Sequence, residues 1–184
     1  PQPYATVNRT VGYSDEYLGD PYKRFRFTDY PDPTSTVPEQ RPGHKTKEVL
    51  YLSATHFFDA VNGSLEGSYR LYHDSFDVTA QTVGLMWFQK IGKHVIVAPF
   101  FRYYYQTAAD FYHVQLPGDP SDPDNPTPIP NYYSADYRLS EMETFTFGAK
   151  LVFQINEHIR IDGAYTRYDM QGLDGRTSQD AYPK

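Results

Sequence analysis

The sequence predicts an all-β protein: an antiparallel transmembrane β-barrel of the outer-membrane kind, present as a partial chain of about seven strands. Three observations predict it. Apolar residues recur at every second position over segments of about the 9 to 11 residues that a tilted membrane strand needs. Short and long connections alternate between those segments. Aromatic rings supply much of the apolar surface, with 18 Tyr and 12 Phe in 184 residues, and such rings favour strands and interfaces where one end of the side chain is wet.

Strands are expected near residues 4–14, 46–57, 64–74, 77–90, 94–107, 140–154 and 158–170. The clearest runs from Ser64 to Asp74. There Leu65, Gly67, Tyr69 and Leu71 alternate with Ser64, Glu66, Ser68 and Arg70, so one face suits lipid and the other water. Phe145, Phe147, Ala149, Leu151 and Phe153 oppose Thr144, Thr146, Gly148, Lys150 and Gln154 in the same way, and Ile159, Ile161, Gly163 and Tyr165 oppose Arg160, Asp162, Ala164 and Thr166. Along Val95, Val97, Pro99, Phe101, Tyr103 and Tyr105 the apolar set passes from aliphatic to aromatic, as a membrane core followed by an interfacial girdle would. Pro99 has no N–H to donate, so a bulge or a weakened pairing is expected there.

The links at Asp59 to Gly63, Ile91 to Lys93 and Ile155 to Glu157 are short enough for tight hairpins, and Ser75 to Phe76 is a medium one. Those at 15–45 and 108–139 are long and rich in Pro. They are expected on the extracellular side of a single barrel segment spanning 1–184, because an even number of strands separates them. Seven strands cannot close a single-chain bacterial barrel, and the chain starts at Pro1 and stops at Lys184 within polar sequence. It therefore reads as a processed or partial chain.

Composition excludes several classes. Mean hydropathy is −0.66, and no apolar run approaches the roughly 18 residues of a membrane-spanning helix. A barrel keeps such an average because its lumen and loops are polar. Net charge is −6, with Lys and Arg dispersed, which gives nucleic acid no electrostatic footprint. The absence of Cys removes disulfides and thiolate chemistry.

Several stretches resemble a known family. Gly19 to Lys23 (GDPYK, after Tyr17 and Leu18), Phe101 to Tyr112 (FRYYYQTAADFY), Ser134 to Leu139 (SADYRL) and Arg167 to Gly175 (RYDMQGLDG) are similar to a bacterial family of outer-membrane barrels classed as a domain of unknown function. The likeness covers roughly Val11 to Tyr182. It implies further strands before this segment and a last strand after it. Family members are often encoded beside a flavin-transferring lipoprotein and a thioredoxin-like protein, which implies an extracytoplasmic setting. The family supplies no catalytic residues to carry over.

On the barrel reading, Glu66, Arg70, Arg102, Lys150, Arg160 and Asp162 point into the lumen. They either line an aqueous passage, as charged rings do in pores, or form a salt-bridged interior that holds the wall in shape. Asp110, Tyr112, Asp136, Tyr137 and Arg138 bracket the second long loop. They form either a recognition rim or loop anchors, in which Asp110 and Asp136 bind backbone amides or Arg138. Asp119, Asp122, Asp124 and Asn125 offer oxygen ligands, but their spacing across prolines matches no calcium loop, so a solvated Pro-Asp loop is expected. The histidines His44, His56, His73, His94, His113 and His158 lack ligand spacing, and no nucleophile elbow or phosphate loop occurs.

No enzyme activity and no cofactor is therefore expected. The expected role is a structural component or anchor of a cell-envelope assembly in the bacterial outer membrane, with membrane lipid and other envelope proteins as partners and no nucleic acid. A porin-like channel for small polar solutes is the first alternative. A soluble Tyr-rich β-sandwich binding carbohydrate is the second, although sandwich strands are shorter and aliphatic on their inner faces.

Overall fold

The computed structural model describes residues 6–10, 34–116 and 130–174. The chain divides into two compact units, one of Pro1–His44 with Asp110–Leu139 and one of Lys45–Ala109 with Ser140–Lys184. The first holds a small three-stranded sheet in which β1 (Thr6–Thr10) pairs antiparallel with β2 (Thr34–Pro38) and parallel with the short β7 (Gln115–Leu116). In the second, β3 (Lys47–Phe58), β4 (Gly63–Asp74), β5 (Thr79–Ile91), β6 (Val95–Gln106), β8 (Met142–Gln154) and β9 (Arg160–Gly172) form one antiparallel sheet in that order.

The protein is thus an all-β fold built on an antiparallel sheet, as the alternation predicts. Each of these six strands lies within two residues of its expected bounds. The count of seven is corrected to six, because β1 belongs to the other sheet. Its sequence, TVNRT, offers no alternating apolar face that a membrane strand or a packed sheet would need. The long links also differ from plain loops, since 15–45 carries β2 and 108–139 carries β7 and a 3-10 turn at Tyr137–Leu139.

Residues directly opposite one another across neighbouring strands share a face, so the registers sort the whole large sheet. On one side Glu66 pairs with Thr55 and Met86, Arg102 with Gly84 and Thr146, and Lys150 with Ala98 and Ala164. On the other, Gly67 pairs with Ala54 and Leu85, Phe101 with Leu85 and Phe147, and Leu151 with Val97 and Gly163. The division into two faces therefore holds along β4 and β8, whereas β9 places Arg167 and Asp169 on the apolar side opposite Phe147 and Phe145, and β3 places Val49, Tyr51 and Phe57 on the polar one.

Burial is inverted relative to a globular domain. Leu85 (47%), Phe147 (47%) and Leu151 (43%) stand exposed on the apolar face, while Ala98 (2%), Thr144 (3%) and Val152 (5%) are buried on the polar one. On the inner strands β5, β6 and β8 the polar side is the more closely packed one, whereas β3 and most of β9 are exposed on both faces.

Pro99 sits where its chemistry requires. It pairs with Ala149 of β8, but the β5–β6 ladder is interrupted between the pairs Met86–Phe100 and Gln89–Val97. The missing N–H thus falls on the β5 side. The hairpins at one end are tight: Asn62 takes the left-handed conformation (φ 51°) after a 3-10 turn at Asp59–Val61, and Gly92 has φ 61° between β5 and β6. The links into β3 and from β6 to β8 leave from the opposite end.

Gly148 on β8 is needed for close approach. A Cβ there would lie 2.1 Å from the Tyr165 carbonyl oxygen and 2.9 Å from the Phe100 ring. The first of these partners is backbone and cannot move aside without disturbing the β8–β9 ladder. Gly148→Ala is expected to destabilise the fold by about 1–3 kcal/mol through overpacking, measurable as a lowered urea midpoint.

Candidate functional site

The chemistry-bearing side chains gather in three places: the polar face of the large sheet, the loop-side rim of that sheet, and a charged clamp in the first unit.

Within the six strands the polar face carries Lys47, Arg70, Lys90, Arg102, Lys150 and Arg160, against Glu66, Asp74 and Asp162. This excess of cations lies in a chain whose net charge is −6. Of the lumen candidates, Lys150 and Asp162 meet across β8 and β9 at 2.8 Å, with side chains 42% and 47% exposed. A pair so open to water contributes little to stability. Glu66, Arg70, Arg102 and Arg160 share this face but form no ion pair among the described residues. Among the described residues the face thus carries two salt bridges, Lys150 with Asp162 and the buried Asp74 with Lys45 at its loop end, and otherwise charges without an ion-pair partner.

The apolar face is bounded by aromatic rings with polar tips. Toward the loop end the Tyr103 hydroxyl donates to Glu143 (2.9 Å), that of Tyr105 to Glu141 (2.7 Å), and that of Tyr69 to Gln81 (3.2 Å). Gln171 also donates to Glu143. Toward the short-turn end Phe58 packs on Trp87 with centroids 5.6 Å apart, and the indole N–H donates to Gln89 at 3.2 Å. Both ends of the apolar band therefore have rings whose hydrogen-bonding groups point away from it.

At the rim, Asp74 ends β4 and shapes the turn into β5. One carboxylate oxygen accepts from the amides of Phe76 (2.9 Å) and Val78 (3.3 Å), and the other from the Lys45 ammonium (2.7 Å) and the Tyr72 hydroxyl (2.5 Å). Asp77 takes φ 62° within this turn, and the Lys45 ammonium lies 4.5 Å from the centre of the Phe76 ring. An Asp binding the amide two residues on is a readable turn signature, but the sequence does not show Lys45 joining it.

In the first unit, Gln40 and Tyr133 exchange both backbone hydrogen bonds (2.9 and 2.8 Å), bringing together segments remote in sequence. Around that bridge Arg41 donates to Glu39 (2.6 Å) and to Asp136 (2.8 Å), Arg138 donates to Asp136 (2.6 Å), and the Ser134 hydroxyl donates to Glu39 (2.5 Å). Asp136 also accepts from the Arg138 amide at 3.0 Å. Burial raises the affinity of Asp136 for a proton, but the guanidiniums of Arg138 and Arg41 outweigh it and hold the carboxyl at about 2.

Among the rim candidates, Asp136 and Arg138 are thus loop anchors. Tyr137 opens the adjoining 3-10 turn, and Tyr112 forms a lone bridge with Ser134. Asp110 is exposed and accepts no hydrogen bond from the described residues. Glu39 and Arg41 were missed by sequence reasoning; the available signal was a pair of opposite charges held between Pro38 and Pro42.

Asp119, Asp122, Asp124 and Asn125 lie outside the described residues, as do Gly19 to Lys23. No group of three or more potential metal ligands occurs among the described residues. Two histidine rings form hydrogen bonds at strand ends, His73 with Thr79 (3.0 Å) and His94 with the Gln154 carbonyl (2.7 Å).

The chain matches, over residues 1–180, the family described as "Protein of unknown function (DUF3570)". No curated protein and no solved structure matches it.

Proposed function

Because the chain belongs to the DUF3570 family, whose description assigns no activity, we propose from its geometry that it is part of an outer-membrane β-barrel serving as a structural component or anchor of a cell-envelope assembly. One observation carries the reading: the apolar face of a six-stranded sheet stands exposed on strands of 12 or 13 residues and is bounded at both ends by hydrogen-bonded aromatic rings. Strands of that length span a bilayer when tilted. A continuous apolar surface of this extent marks a membrane or a large interface.

The sheet edges support closure by further strands. Among the described residues β3 and β9 pair on one side only, and every residue of β3 is exposed. Edges this long and apolar invite pairing and are ordinarily covered. An even number of strands lies between them, so β3 and β9 run antiparallel, as the walls flanking a closing set of strands in a bacterial barrel do.

Function as an assembly component draws on the loop side. The two long links are rich in Pro and Tyr, and the clamp around Asp136 pre-orders one part of them, which lowers the ordering cost of docking a partner. A porin-like channel is the second reading, favoured by the unpaired charges of the polar face.

The full-length protein, purified from cells, separates the two. It is expected to fractionate with the outer membrane, to co-purify with at least one other envelope protein, and to show small or no steady conductance in planar bilayers. Large, stable currents from the solitary barrel would instead establish the channel. Recovery in a membrane-free fraction would sink both.

A further inference from the structure

We propose that the polar face binds a small oxyanion of the phosphate class above Gly84, between the guanidiniums of Arg70 and Arg102. The inference rests on the reading of this face as the water-filled side of the sheet, and it adds a ligand class to it.

The site follows from register. On β5, Gly84 lies directly between Ser68 of β4 and Arg102 of β6, and the next residue on the same face, Thr82, pairs with Arg70. Arg70 and Arg102 are therefore diagonal neighbours across one strand, with Cα atoms about 12 Å apart from the usual strand and residue spacings. Two extended arginine side chains span that gap from opposite sides.

Gly84 makes the floor. A Cβ at this position would lie 2.6 Å from the Ser68 hydroxyl, and the only other atom within 4 Å would be the Ser68 Cβ. The surface is thus lowest between the two arginines, with one hydroxyl leaning over the glycine backbone. The hydroxyls of Ser68 and Thr82 form no hydrogen bond with another described residue. Donors are present on three sides of the depression.

Charge supplies the second, independent argument. Arg70 has the Tyr72 ring at 5.7 Å, and neither arginine has a carboxylate partner among the described residues. Asp74 is occupied by Lys45 and Tyr72 and Asp162 by Lys150; Glu66 flanks Ser68 on the side of β4 opposite to Arg70 and forms no ion pair with either arginine, so the two guanidiniums outnumber the one carboxylate around Gly84. Arginine cannot shed its charge at any relevant pH. A face with more cations than carboxylates concentrates anions from solution, and the planar guanidinium fork matches a tetrahedral oxyanion in bidentate fashion.

The test uses the full-length protein folded in lipid nanodiscs and titrated calorimetrically with sodium phosphate at low ionic strength. Saturable binding is expected, weakened at least about tenfold in R70Q and in R102Q, partly retained in R70K, and unchanged in K90Q, which removes a cation elsewhere on the same face. In the unmodified protein, phosphate is expected to protect Arg70 and Arg102 from phenylglyoxal, read by mass spectrometry. This second measurement does not depend on any variant folding. Absence of saturable binding, equal weakening by K90Q, or modification of both arginines regardless of phosphate would overturn the site. Phosphate binding by a protein that does not insert into lipid would leave the site standing and remove the membrane reading. Insertion without binding would do the reverse.

Discussion

Leu85→Arg is expected to cost about 2–4 kcal/mol of folding stability in lipid, the range for an arginine placed at the bilayer midplane on the outer face of a barrel. Leu85 is the middle residue of β5, stands 47% exposed on the apolar face, and pairs with Gly67 and Phe101. Leu151→Arg lies nearer the short-turn end of β8 and should cost less, because the penalty declines toward the interface. Lys150→Gln, one residue away on the polar face, removes only a half-exposed pair with Asp162 and should leave stability close to that of the parent protein. Urea titrations of the three variants refolded into vesicles give the comparison. In a protein surrounded by water, exposed Leu→Arg changes are worth about ±0.5 kcal/mol with no dependence on depth, so a flat profile would contradict the membrane reading.

The six long strands were legible because a period-two pattern sustained over ten or more residues leaves little ambiguity of face or type. Pro99 was legible for a related reason: a residue without an N–H must weaken one ladder, and it does so opposite β5. The alternate positions of Lys150 and Asp162 on adjacent strands likewise place them on one face, where they meet. By contrast, β1 was assigned to the wrong sheet, because TVNRT lacks a periodic face and its partners come from links that carry no strand signal. The partnership of Arg41 with Asp136 spans 95 positions, and no local spacing encodes such a meeting. Asp136 with Arg138, only two apart, was within reach of sequence reasoning. The lesson concerns range: alternation and local turn chemistry are written in neighbouring residues, whereas the meeting of two loops is decided by the backbone bridge between Gln40 and Tyr133.

That clamp supplies the other large effect. Asp136 is 7% exposed and is held at about 2, below the usual carboxylate value of about 3.9. The difference corresponds to about 2 kcal/mol of stabilisation. Because the folded-state value is depressed, this contribution is complete above about pH 4 and is lost as pH falls through about 2. Asp136→Ala removes the acceptor shared by both guanidiniums. Arg138 is left with a side chain already 58% exposed, and Arg41 keeps Glu39 at 2.6 Å. The cost therefore falls below that of stranding a fully buried charge, at about 2–3 kcal/mol for local opening. Amides of the 131–139 segment, among them Tyr133, Ser134 and Leu139 with backbone acceptors, should then exchange about 30- to 160-fold faster at neutral pH. The ratio of variant to parent should shrink as pH is lowered toward 2, since acid removes from the parent the interaction that the substitution has already deleted. A ratio that stays constant from neutral pH down to about 2 would mean that Asp136 acts by shape alone and that its charge does not hold the clamp.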